Sequence, residues 1–290
     1  MIKAYSEYRE KNNIKQNTIK YEVEQLETFL AFVAERHEKS LESFEITPSD
    51  IRAYLDFQKN VKNVKDNTLK RKLSVIRQYF HFLWKSGKLP YDFMPKFEYK
   101  FNVPEKTGFT NYQDLETKIE SVLMDSRLIL NDKLYFMFAM IGIKMKDIEA
   151  LKLEHLKDQG DHIVLLFTNS NNYVVEQRFD NLIEIGVLLQ AMERSMFRDH
   201  DILVGSTNQK EPNYIRSNLK EIYNRLESVL SQPFKGEEIR LSYIHYLYKV
   251  KGMTIEEMSE ALGTSIASMA STLKVVLERY KHIDYNKATN

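Results

Sequence analysis

Nine cations fall between residues 59 and 88: Lys59, Lys62, Lys65, Lys70, Arg71, Lys72, Arg77, Lys85 and Lys88. Asp66 is the one acid among them. A run of Lys and Arg so little interrupted suits the neutralisation of a polyphosphate backbone, where each side chain displaces a condensed counterion. A solvated helix face is the plain alternative, but such faces ordinarily mix both signs. Other chemistries find less support. The seven histidines (His37, His81, His155, His162, His200, His245 and His282) show no paired spacing with carboxylates, so no metal is expected. Gly142 and Gly263 stand alone, with no glycine-rich phosphate loop, and no cofactor is expected. With no cysteine, the chain has no disulfide, thiolate metal site or thiol nucleophile, which fits a reducing cytoplasm.

The elements that must carry these cations follow from apolar spacing. A pattern recurs after 50 residues: Gln16-Asn17-Thr18-Ile19-Lys20 is matched by Asp66-Asn67-Thr68-Leu69-Lys70. Each Asn-Thr pair is expected to cap a helix by accepting backbone N–H groups. Ile19, Val23, Leu26, Leu30 and Val33 then define one amphipathic helix; Leu69, Leu73, Ile76, Phe80 and Leu83 define the other. Between them Thr47-Pro48-Ser49-Asp50 starts a third, with Ile51, Tyr54 and Leu55 facing inward. Gly87 stops the basic helix.

At 290 residues the chain is expected to form two domains. Residues 1–98 are the first, 99–108 an aperiodic linker containing Pro104 and Gly108, and 109–290 the second. Residues 1–100 hold 19 basic and 14 acidic side chains, a balance of +5, whereas the remainder holds 23 and 27, a balance of −4. The second domain opens with helices at Thr110-Asn111 and around Leu134–Ile141. His162–Phe167 and Tyr173–Phe179, rich in β-formers around a Thr-Asn-Ser-Asn-Asn turn, predict a β-hairpin. The rest alternates helical patterns with polar breaks. No apolar run approaches the roughly 20 residues of a membrane span, and the first residues lack a signal-peptide core.

The order of these strings resembles the tyrosine recombinase (phage integrase) family over about residues 1–280. Asn17-Thr18-Ile19, Ile46-Thr47-Pro48 and Asn67-Thr68-Leu69, leading to Phe80, Phe82 and Gly87, are similar to that family's core-binding domain. Gly142-Ile143-Lys144-Met145-Lys146-Asp147-Ile148-Glu149-Ala150-Leu151-Lys152-Leu153 resembles its Gly-Leu-Arg-x-x-Glu-Leu-x-x-Leu-x-Leu string, and Ala261-Leu262-Gly263-Thr264-Ser265 its Leu-Gly-His-Ser string. The resemblance implies a mainly α fold. A SAM-like core-binding domain of four to five helices would precede an α+β recombinase-type domain with a small β-sheet, the two clamping duplex DNA.

In that family a tyrosine hydroxyl attacks a phosphodiester to give a covalent protein–DNA intermediate. Two arginines and His or Trp side chains hold the non-bridging oxygens, and a hairpin lysine protonates the leaving hydroxyl. Carried over, the first arginine is Lys144, which keeps charge without the guanidinium fork. The hairpin lysine falls at Thr168, the second arginine at Arg240, and the histidine three residues ahead of it at Glu237. The Leu-Gly-His histidine is Thr264, and the nucleophile lands on Leu273, seven residues short of Tyr280. Losing one oxyanion donor costs ~10²–10³ in rate, and several are absent together. The expectation is therefore a degenerate member that binds double-stranded DNA through Lys62, Lys65, Lys70, Arg71, Lys72, Arg77 and Arg240 without efficient cleavage. It would act as a homo-oligomer or beside a partner recombinase, with no membrane contact. Two rivals stand: an active recombinase with a displaced nucleophile such as Tyr280, and a helical protein-interaction scaffold. Residues 253–273 also suit a helix-turn-helix, but Ile266–Leu273 lacks base-reading side chains, which favours a structural pair.

Overall fold

The computed structural model describes residues 1–102, 110–198, 200–205 and 214–281. The chain divides into two compact units, residues 1–106 and 107–290.

The first unit holds α1 (Ile2–Lys11), α2 (Gln16–His37), α3 (Pro48–Asn60) and α4 (Asp66–Lys85), followed by a 3-10 turn at Met94–Lys96. The apolar positions read from the sequence form its core: Leu26, Phe29 and Val33 from α2, Ile51, Tyr54 and Leu55 from α3, and Leu69, Leu73, Ile76, Phe80 and Leu83 from α4. Each side chain of this size contributes about 1.5–3 kcal/mol on full burial. Thr47 and Asp50 form the expected capping box, with Pro48 in the first turn. Gly87, at φ +69°, ends α4 as expected. The Asn-Thr caps are corrected. Lys15 and Lys65 occupy the N-cap positions with no side-chain cap bond, so Asn17-Thr18 and Asn67-Thr68 lie inside the first turns. Charge inside this unit is paired: Glu22, 3% exposed, accepts from Arg9 at 2.7 and 2.8 Å and from the Tyr5 hydroxyl at 3.0 Å.

Residues 103–108 of the expected linker lie outside the described residues. Tyr99 and Phe101 pack against the core of the first unit, and the Tyr99 hydroxyl donates to Asp56 at 2.8 Å.

In the second unit, α5 (Tyr112–Glu116) and α6 (Ile119–Met124) precede α7 (Leu130–Met140) and the short α8 (Met145–Ile148). The expected hairpin is present as β2 (Ile163–Thr168) and β3 (Val174–Phe179), antiparallel with Leu165 opposite Gln177. A third strand, β1 (Leu156–Asp158), pairs with β2 to complete an antiparallel sheet of order β1-β2-β3. Then come α9 (Leu182–Met196), α10 (Tyr214–Leu230), α11 (Gly236–Lys249), α12 (Ile255–Ala261) and α13 (Ile266–Arg279). The fold is mainly helical with one small sheet, as the patterning implies.

α7 is the centre of this unit. Leu134 through Met140 are all buried, and α9, α10 and α11 pack around them. Its N-terminus is fixed by Asp132, fully buried, which accepts from the Ile129 amide at 3.2 Å and takes both arms of Arg225 at 2.7 and 2.8 Å. Among the described residues no helix is long and apolar enough to cross a membrane. Replacing Asp132 with Ala should lower unfolding free energy by about 3 kcal/mol in urea titrations, because Arg225 loses its counter-ion. The paired substitution Asp132→Leu with Arg225→Met should recover most of that loss.

Candidate nucleic-acid interface and phosphate site

Two surfaces collect the residues singled out by the sequence. The first is α4. At about 100° per residue, Leu69, Leu73, Ile76, Tyr79, Phe80 and Leu83 fall in one buried sector. The opposite sector carries Asn67, Lys70, Arg71, Ser74, Arg77, Gln78, His81, Trp84 and Lys85. All of these are exposed except His81, which is half-buried, and none is acidic.

The structure edits the list of cations. Lys59 is held by Asp66 at 3.0 Å, and Asp66 also accepts from the Asn102 amide, so the one acid of the run neutralises its first base. Lys72 turns inward, donates to Gln25 at 2.6 Å and lies 5.9 Å from the Tyr54 ring, and burial lowers its pKa. Arg77 is exposed but anchored to the Phe97 carbonyl at 2.9 Å. Lys62, Lys65, Lys70 and Arg71 are exposed, and Lys62 lies 5.6 Å from the Phe57 ring. Asn67, Ser74, Gln78, His81 and Trp84 share the face with Lys70 and were missed because the reading followed charge alone. Their recurrence in steps of three and four residues along the helix through Lys70 was the available signal. His81 bonds Asp92 at 3.0 Å and lies 5.5 Å from the Trp84 ring.

The second surface is a cavity of about 220 Å³ in the second unit. Lys144, at the N-cap of α8, and Arg240, in α11, line it together with Glu237, Tyr135 and Tyr223. Arg240 is 7% exposed, yet its guanidinium makes no side-chain hydrogen bond or ion pair with a described residue and feels Glu237 and Asp147 only through their charge. Burial pulls its pKa down, while the charges of Glu237 and Asp147 oppose that. Lys144 is likewise lowered by burial and then by the Arg240 guanidinium. Glu238, the other acid beside Arg240 in sequence, is ion-paired to Arg279. The Tyr135 and Tyr223 hydroxyls meet at 3.2 Å, and the Gly236 amide donates to Tyr223 at 3.3 Å. A Cβ at residue 236 would stand 2.6 Å from the Tyr135 oxygen, so only glycine fits.

The remaining carried-over positions hold no cation. Thr168 is exposed at the end of β2, and the turn after it is tied down. Asn169, 7% exposed, donates to the Gly263 carbonyl at 2.6 Å, while its own oxygen accepts from Asn171 and Tyr173. The Ser170 amide donates to Asp147 at 2.8 Å. The hairpin turn is thereby fastened to α8 and to the turn between α12 and α13, where Gly263 sits at φ +56°. Thr264 is half-buried, and Leu273 is 4% exposed in the core. Tyr280 does not line the Arg240 cavity. It is 2% exposed, its ring 5.1 Å from that of His245, and burial raises its pKa to about 12. His245 stands five residues beyond Arg240, about 140° around the helix. In the α12–α13 pair Met258, Leu262 and Met269 turn inward, while Ser268, Ser271 and Lys274 are exposed. Among the described residues no group of three or more His, Asp or Glu could hold a metal ion.

Comparison with known proteins agrees with this architecture. Residues 2–87 match the family model of the phage integrase N-terminal SAM-like domain. No curated protein matches the chain. Among solved structures, the Tn1549 transposon integrase in complex with circular intermediate DNA is 13% identical at a TM-score of 0.66, over 99% of this chain and 97% of that one. Lambda integrase bound to DNA is 13% identical at a TM-score of 0.63, over 98% of each chain. XerH recombinase, in its pre-cleavage complex with the difH substrate, is 14% identical at 0.62, over 90% and 77%. The fold is that of the DNA integrases and site-specific recombinases.

The packing of His245 on Tyr280 makes stability depend on pH. Burial, with Lys249 nearby, lowers the imidazole pKa from 6.5 to about 4, so the unfolded chain takes up the proton first. The stability held by the neutral ring is complete above about pH 6.5 and is lost as pH falls toward 4. Melting temperature should drop across that window, and His245→Gln should flatten the drop while lowering the neutral-pH value.

Proposed function

We propose that this protein binds duplex DNA as a recombinase-type protein and holds it without efficient strand cleavage, in site-specific recombination, DNA integration or their regulation. The observation that carries the reading is the acid-free exposed face of α4. Several cations on one helix face can each neutralise a phosphate. Asn67, Gln78 and Ser74 among them have the donors and acceptors that read base edges. In the second unit, Lys144 and Arg240 supply a two-cation pocket of a size to receive one backbone phosphate. Solved structures of the same fold include DNA complexes, among them a lambda integrase dimer on a core site and a tetramer on a Holliday junction. Assembly on DNA as a homo-oligomer or beside a partner recombinase is part of this proposal.

Four side chains weigh against efficient cleavage. Leu273 has no hydroxyl to attack phosphorus, and Thr168 and Thr264 bring no charge to the leaving group or the oxyanion. Glu237 lines the same pocket and adds a negative charge where an anion would sit. One observation favours a second reading, an active enzyme with a displaced nucleophile. Tyr223, and not Tyr280, puts a hydroxyl beside Lys144 and Arg240.

A nicked suicide DNA substrate tests the point. No covalent protein–DNA product is expected, whereas a trapped product abolished by Tyr223→Phe or Tyr280→Phe would establish the enzyme and name its nucleophile. Binding is tested by salt-dependent gel shifts. Lys70→Glu with Arg71→Glu should weaken binding by roughly tenfold or more and flatten the salt slope. Lys59→Gln and Lys72→Gln, whose charges are engaged inside the fold, should change affinity less than twofold on the same scale. Failure to bind DNA at low salt would leave the scaffold reading.

A further inference from the structure

The arginines of the second unit sort into two groups. Arg127 pairs with Asp125, Arg178 with Asp180, Arg216 with Glu149, Arg225 with Asp132 and Arg279 with Glu238. Among the described residues the exceptions are Arg240, in the pocket already described, and the pair Arg194 and Arg198 at the C-terminal end of α9. Arg194 spends one N–H on the Leu203 carbonyl at 2.6 Å, and its Nε is buried with no acceptor. Both terminal nitrogens of Arg198 are buried, and neither meets an acceptor. The two guanidinium groups are close enough for Arg198 to help lower the Arg194 pKa to about 10, after burial. Of the acids close in sequence, Asp201 faces Lys152 at 3.2 Å, and Asp199 lies outside the described residues.

Two like charges with three buried, unmatched donors form a costly arrangement. Part of that cost is offset by the α9 C-terminus, whose carbonyl dipole favours cations, but a dipole does not satisfy N–H groups that point elsewhere. Guanidinium forks match the oxygens of a tetrahedral oxyanion, and a phosphate can accept from two arginines at once. Lysines in these positions would lose less on standing empty, since an ammonium is a single rotatable point charge.

From this we infer that Arg194 and Arg198 form a second oxyanion site in this unit, separate from the Lys144–Arg240 pocket, that takes a phosphate group. The phosphate belongs either to a DNA backbone or to a small free phosphate compound. The two sources leave different traces.

The test uses the full chain in four forms: unaltered, Arg240→Gln, Arg198→Gln and the double variant. Each is melted in chloride and in inorganic phosphate at matched ionic strength. Phosphate should raise the melting temperature of Arg240→Gln, and adding Arg198→Gln should remove that rise. Gel shifts then separate the sources. If Arg198→Gln weakens duplex binding about tenfold and lowers the salt slope by about one, the group is a backbone phosphate. If duplex binding is unchanged while the phosphate response is lost, a free phosphate compound is the ligand. Should Arg198→Gln fail to fold, Arg198→Lys keeps the charge without the fork and should show a reduced phosphate response. The inference is overturned if Arg240→Gln alone abolishes the whole response, or if the Arg198 variants respond to phosphate like the unaltered protein. Neither result bears on the α4 face, so the proposed DNA function stands or falls separately.

Discussion

A charge removed from water must meet its opposite, and this requirement decides where each unit is rigid and where it is receptive. In the first unit Arg9, Glu22 and Tyr5 close on one another, and Asp50 joins His37 at 2.7 Å while capping α3. In the second, Asp132 and Arg225 fix the central helix, and Glu238 and Arg279 join α11 to the end of α13. Such pairs contribute little net stability over apolar substitutes, but breaking one is expensive, so they fix geometry. Where the pairing stops, the fold turns toward something outside itself. Arg240 is the clearest case, since it is buried beside Lys144, a cation that makes its position less favourable.

The same rule explains why a basic run in a sequence overstates a basic face. Lys59, Lys72 and Arg77 each have an intramolecular partner, a carboxylate, an amide oxygen and a carbonyl respectively. Of these, Lys59 is neutralised, Lys72 is withdrawn toward α2, and Arg77 keeps a charged side chain at the surface with its direction fixed. Fixing an arginine in this way reduces the entropy lost when it meets a ligand. The α4 face is therefore narrower and more ordered than nine cations in thirty residues suggest. It also carries an aromatic pair, His81 and Trp84, on the same stripe.

What the sequence made legible was governed by period, and what it concealed was governed by geometry across long separations. The buried stripe of α4, the capping box at Thr47 and the β2–β3 hairpin were readable because each is set by neighbours within a few residues. The Asn-Thr caps failed because the helices begin two residues earlier than a cap at Asn17 or Asn67 would place them, with lysine at the boundary. β1 is three residues long, too short to show a period. Lys144, Glu237 and Arg240 were legible as candidates only through resemblance to a family. That Tyr223 joins them, or that Asn169 locks the hairpin turn to Gly263 across 94 residues, depends on tertiary contact. One asparagine among the three of this turn gives no such hint.

Holding a phosphodiester and cleaving it make different demands, and the side chains around Arg240 meet the first better than the second. A bound phosphodiester carries one negative charge, which a buried guanidinium and a nearby ammonium are enough to balance. Cleavage requires donors that bind the transition state more strongly than the ground state, aimed at oxygens whose charge grows as the nucleophile arrives. Lys144 offers a point charge where a planar fork would hold two oxygens. Glu237 repels that growing charge, and threonines stand at the two remaining cationic positions. Each of these side chains serves ground-state attraction better than transition-state stabilisation. A pocket with these side chains favours a bound phosphodiester over the transition state of its cleavage, which is the physical ground of the proposed grip without cutting.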